Sequence, residues 1–192
     1  MFILYAIVIG LVAGRLLGGR LENLAGLSFR WVGVAIAGLA AQVVLFSPAA
    51  STGRDVTGPV LYVASTVAVL AFVLANLQTR GMPIVALGAA LNLVAILANG
   101  GTMPASRAAL ETAGLVASGG YTNSQALASP VLEPLGDVFA LPAGVPLANV
   151  FSIGDVVIAL GVLVVVTAAM RRPLPPVPAL APPPDEGTGT SV

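Results

Sequence analysis

Five apolar runs punctuate the chain, at about 1–18, 29–46, 59–77, 82–98 and 151–170. Each comes close to the roughly 20 residues that span the hydrocarbon of a bilayer. Backbone groups in lipid find no water to bond, so such runs close their hydrogen bonds internally, as helices. The pattern predicts an all-α membrane protein: a bundle of five transmembrane helices over 1–170, with one long outer loop over 100–150. The remainder, 171–192, is dominated by prolines and cannot bury a core. It reads as a disordered, proline-rich cytoplasmic tail.

The polar residues between the runs give an orientation. Arg15, Arg20 and Arg30 flank the first connection, Arg80 sits in the third, and Arg171 and Arg172 follow the fifth run. By the positive-inside rule these three regions are cytoplasmic. The second connection carries Arg54 beside Asp55, and the fourth sets Arg107 against Glu111, Glu133 and Asp137, so both lie outside. The N-terminus is then outside and the C-terminus inside. The first run is not expected to be a cleaved signal, because no positive charge precedes it.

The 100–150 segment is rich in Gly, Pro, Ser, Thr and Asn but keeps Leu, Val and Phe. A short helix is expected over 106–115, capped by Ser106 or by Pro104-Ala105-Ser106, and 131–147, with three prolines besides Pro130, reads as an ordered loop lying on the bundle.

Composition narrows the chemistry. Of 192 residues, 57% are hydrophobic and 8% charged, against about 25% charged in soluble domains. The bilayer is the solvent that suits such a chain. Net charge is zero, which argues against nucleic acid as a partner. With no Cys and no His there is no disulfide, thiol nucleophile, Cys/His metal site or His-based triad. No metal site and no cofactor is expected. Any acid–base chemistry falls to Asp, Glu, Tyr or Arg.

Several positions stand out against the apolar background. Gly88, Asn92, Ala95 and Asn99 fall on one face of the fourth helix. Polar side chains at membrane depth face the bundle interior or a wet cavity. Asn99 opens Asn99-Gly100-Gly101-Thr102-Met103-Pro104, a sharp exit at the outer surface, so Asn92, Asn99, Gly100 and Gly101 are candidate binding residues. Ser152 joins them at the start of the fifth helix. Asp155 lies one turn inside that helix, where it serves either a function or the helix N-terminus itself, with Ser152 as cap. Asp137 precedes it on the outer loop, so Asn99, Asp137 and Asp155 are expected to converge. Gln42 and Asn76 read as interhelical glue. Small residues at four-residue spacing, Gly10/Gly14/Gly18 and Gly33/Ala37/Ala41, are expected to pack within the bundle.

Three stretches carry a resemblance to a family: Gly18-Gly19-Arg20-Leu21-Glu22-Asn23-Leu24, Leu97-Ala98-Asn99-Gly100-Gly101-Thr102-Met103-Pro104, and Phe151-Ser152-Ile153-Gly154-Asp155. Through them the chain resembles an uncharacterised bacterial family of small integral membrane proteins, known by a domain-of-unknown-function label. That resemblance implies a multi-pass protein of the bacterial cytoplasmic membrane and no assigned activity. A second resemblance is local. Gly136-Asp137-Val138-Phe139 followed by Phe151-Ser152-Ile153-Gly154-Asp155 is similar to the end of lipoprotein signal peptidase, which implies Asp137 and Asp155 as a catalytic pair. The chain departs from that family where Ser152 and Gly154 replace its Asn and Ala, where no Asp-Arg follows an Asn close before the first acid, and in having one helix more.

Two functional readings follow. The first is an accessory, assembly or small-ligand-binding membrane protein with an outward-facing polar site. Its partners are the lipid bilayer and another membrane protein or a lipid. The second is a membrane-embedded aspartyl enzyme using Asp137 and Asp155. A channel or transporter is disfavoured, because no ladder of charges crosses the membrane and no inverted repeat is visible.

Overall fold

The structure is a computed structural model that describes residues 2–47, 57–115 and 123–172. Of the tail expected over 171–192, residues 173–192 lie outside the described residues. Five apolar helices occupy the five apolar runs: α1 (Phe2–Leu16), α2 (Val32–Leu45), α3 (Thr57–Ala75), α4 (Met82–Ala98) and α6 (Ile153–Met170). A short α5 (Arg107–Thr112) lies in the long connection. Among the described residues, only α3 and α6, with 19 and 18 residues, are long and apolar enough to cross a membrane. The helices α1, α2 and α4 are shorter than expected, at 15, 14 and 17 residues.

Local signals set these ends. Trp31 takes a left-handed backbone (φ 60°) just before α2. Asn76 grips the residue before it, accepting from Arg30 N at 2.8 Å and donating to Arg30 O at 2.9 Å. That is the glue role expected of Asn76. At the start of α4, Gly81 sits at φ +95° and Pro83 occupies the first turn, where its missing N–H costs no hydrogen bond.

The helices pack mainly in the series α2–α3–α4–α6–α1, so α1 and α2 stand at its two ends. Glycines make the close contacts. Gly81 lies against Gly161, and seven residues on Gly88 lies against Gly154, so α4 and α6 run antiparallel with backbones touching. Gly10 and Gly14 fit against Val166 and Met170 of α6, as expected of that stripe, but Gly18 meets nothing within 4 Å. The second stripe corrects the expectation. Gly33, Ala37 and Ala41 are exposed, and α2 packs through Ala35, Gly38 and Leu45 instead. Gly38 lies against Ser65 O and Val69 of α3.

The fold is also not all-α. Among the described residues the long connection holds four short strands, β1 (Met103–Pro104), β2 (Ser124–Gln125), β3 (Phe139–Leu141) and β4 (Asn149–Phe151). β1 pairs in parallel with β2. β3 pairs antiparallel with β4, with Phe139 opposite Phe151. The reason is that a loop folded over helix ends must give its buried N–H and C=O groups partners, and short ladders supply them. α5 starts where expected, with Ser106 Oγ accepting from Ala109 N at 3.0 Å. Ala105, Ala109, Leu110, Ala113 and Val150 form a small core under this cap.

Candidate functional site

The antiparallel packing of α4 on α6 brings the C-terminal half of α4 beside the first turn of α6. There Ser152 and Asp155 form a reciprocal capping box. Ser152 Oγ accepts from Asp155 N at 3.0 Å, and Asp155 Oδ2 accepts from Ser152 N at 3.1 Å. Such a box satisfies helix-start donors that otherwise have no partner.

Asn92 completes the arrangement from α4. Its Nδ2 donates to Asp155 Oδ1 and its Oδ1 accepts from Ser152 Oγ, both at 2.8 Å. It can approach because residue 154 is glycine: a β-carbon there would overlap Asn92 Oδ1. Ser152 is fully buried. Asn92, Ser152 and Asp155 therefore form one closed network between two helices.

Asp137 reaches the same place by another route. Asp137 N donates to Pro104 O at 2.8 Å and Ser106 N donates to Asp137 O at 3.1 Å, so the backbone at 137 is tied to the chain leaving α4. Its side chain is only 5% exposed and accepts a hydrogen bond from Ser124 Oγ. Burial pushes the Asp137 carboxyl up to about 7. The Ser124 hydrogen bond opposes that shift and the nearby negative charge of Asp155 adds to it.

A cavity of about 230 Å³ joins these groups. Asn92, Asp137 and Asp155 line it, with Gln42 of α2 and Tyr62 of α3. The loop adds Asn123, Ser124 and Asn149, and Phe2 and Phe151 form an aromatic wall. Those two rings stack with centroids 4.3 Å apart. No Arg lines the cavity among the described residues. Carboxylates and amide oxygens together suit a small cation or hydrogen-bond donor.

Of the residues singled out from the sequence, Asn92, Asp137 and Asp155 share this cavity, and Ser152 braces it without lining it. Asn99, Gly100 and Gly101 do not line it. Asn99 holds the outer loop instead: Nδ2 donates to Val131 O and Oδ1 accepts from Val131 N, both at 2.8 Å. Gly100 and Gly101, at φ +66° and +88°, turn the chain out of α4, and Gly101 sits against Pro59. Sequence reasoning missed Tyr62, Asn123, Ser124 and Asn149; Gln42 plays the glue role expected of it, donating to Thr66 Oγ1 of α3 at 3.4 Å, and lines the cavity as well. Only Gln42 and Tyr62, polar groups within apolar runs, left a signal there. Among the described residues no group of three or more acids is placed to hold a metal ion.

No curated protein and no solved structure matches this chain. A family model described as a family of unknown function (DUF5317) matches residues 26–167, a stretch that takes in α2, α3, α4, the strand-bearing loop and most of α6. Every cavity-lining residue named above except Phe2 lies in that stretch, and the chain belongs to the family of unknown function DUF5317.

Proposed function

We propose that this chain is a small multi-pass protein of a cytoplasmic membrane, N-terminus outside, that binds a small cationic solute in its outer cavity as an accessory or ligand-binding protein. Two features support the membrane part. The outward helix faces are apolar: Val43, Val60 and Leu160 are more than half exposed, and soluble monomers rarely expose apolar surface on this scale. Arg15, Arg20, Arg30, Arg80, Arg171 and Arg172 all fall at the helix ends opposite the cavity, as the positive-inside rule requires for a cavity facing out.

The observation that carries the ligand reading is that Asp137 and Asp155 line one cavity of about 230 Å³. Drug-sized pockets start near roughly 300 Å³, so the solute has few heavy atoms. An ammonium group would donate charge-assisted hydrogen bonds to the carboxylates and amide oxygens, beside the aromatic wall of Phe2 and Phe151. Calorimetric titration of the detergent-solubilised protein with ethanolamine, choline and ethylene glycol tests this. Heat of binding is expected for an amine and not for the diol, and Asp137→Asn abolishes it. Equal responses to all three would sink the reading.

The aspartyl-enzyme reading stands second. In its favour, Asp137 titrates near neutrality beside a second acid. Against it, both oxygens of Asp155 already accept hydrogen bonds, from Asn92 and from Ser152 N.

A further inference from the structure

At the end of α6 away from the cavity, the helix carries two adjacent ridges at four-residue spacing. Leu163, Thr167 and Arg171 form one; Val164, Ala168 and Arg172 form the other. Together with Arg80, from the turn between α3 and α4, they line a groove of about 480 Å³. Along its length the groove is apolar, and its only hydroxyl is committed, Thr167 Oγ1 donating to Gly10 O at 3.3 Å. Three exposed arginines line the groove, Arg171 and Arg172 at its end and Arg80 from the neighbouring turn, and no acid does. Among the described residues the only ion pair is Arg20–Glu22, so Arg80, Arg171 and Arg172 have no carboxylate partner there.

Three unneutralised guanidinium groups above an apolar slot have the chemistry of one molecule with an anionic head and a hydrocarbon tail. Guanidinium forks match phosphate oxygens. From residue 163 to 171 the slot runs about 12 Å along the helix, room for the upper part of an acyl chain. We propose that this groove binds one anionic phospholipid, its phosphate among Arg80, Arg171 and Arg172 and one acyl chain along Leu163, Val164 and Ala168. The site rests on the membrane reading given above, in which this end of the helices meets the cytoplasmic leaflet, where anionic lipids attract basic residues.

Native mass spectrometry of the full chain in mild detergent tests the site. The protein is offered equal amounts of dioleoylphosphatidylglycerol or dioleoylphosphatidylcholine, or glycerol 3-phosphate as the head group without chains. One phosphatidylglycerol adduct is expected to survive, with neither of the others retained. Replacing Arg80, Arg171 and Arg172 together by Gln should weaken that adduct on the order of a hundredfold, and Arg172→Gln alone about fivefold. Replacing Arg15 and Arg30 by Gln, at the same end but outside the groove, should leave it unchanged. Equal retention of phosphatidylcholine, retention of glycerol 3-phosphate alone, or an equal effect of the Arg15/Arg30 pair would each overturn the site. Alkaline carbonate extraction separates the two levels. A protein washed off membranes loses both the membrane reading and the lipid site. One that stays membrane-bound yet shows no lipid preference loses only the site.

Discussion

Asn92 and Asp155, 63 residues apart in sequence, are joined by one hydrogen bond, Asn92 Nδ2 donating to Asp155 Oδ1 at 2.8 Å. The bond ties the α4–α6 contact to the acid-lined cavity, so packing and site depend on the same side chain. Asn92→Ala would leave the fully buried Ser152 hydroxyl without its acceptor. The expected loss is roughly 1–3 kcal/mol, read as a lower melting temperature in detergent. Asn92→Asp should lower it further, by setting a second carboxylate against Asp155. An unchanged melting temperature for Asn92→Ala would mean the network contributes nothing to stability.

The glycine contacts give a sharper contrast. A β-carbon at Gly88 would stand 2.5 Å from Gly154 O and 2.7 Å from Ile158 N. Both are backbone atoms, which yield only if α4 moves away from α6. Gly88→Ala should therefore cost roughly 1–3 kcal/mol or more. A β-carbon at Gly33 meets nothing within 4 Å. Gly33→Ala should be neutral or stabilising by up to about 1 kcal/mol, from helix propensity. Thermal unfolding of the two variants side by side checks the contrast, and it fails if they behave alike.

Asp137 makes stability depend on pH. Its folded value of about 7 lies above the ordinary 3.8, so between these pH values the folded state holds a proton that the unfolded state has lost. The stability this group contributes is fully present below about pH 4, falls as pH rises towards 7, and is gone above it. Unfolding measured from pH 4 to 8 should show this decline. Asp137→Asn, which cannot ionise but can still accept from Ser124, should flatten it. A variant that keeps the full wild-type slope would assign the proton elsewhere.

Orientation is testable because the chain has no cysteine of its own. Ser129, in the strand-bearing loop, and Gln78, in the turn before α4, are both exposed. On intact cells an impermeant thiol reagent should label Ser129→Cys and spare Gln78→Cys. Labelling at position 78 alone would invert the proposed topology.

What was legible in the sequence was local. The five apolar helices lie close to the predicted runs, because helix formation in a long apolar segment depends on that segment alone. The Ser106 cap, the Ser152–Asp155 start of α6 and the glycine exit after Asn99 were readable for the same reason: each joins residues within a few positions of one another. The strands were not, since two- and three-residue ladders such as β1 with β2 leave no periodic trace. Nor was the choice among polar residues. Asn92 and Asn99 share one helix face, yet one turns to Asp155 and the other to Val131. Likewise Gly33, Ala37 and Ala41 read as the packing stripe of α2, and the fold packs that helix through Gly38 instead. Helices that are apolar nearly all round carry little signal for which face turns inward. That choice was made by the fit of Gly88 against Gly154, and by the loop that carries Asp137 back over the end of α4.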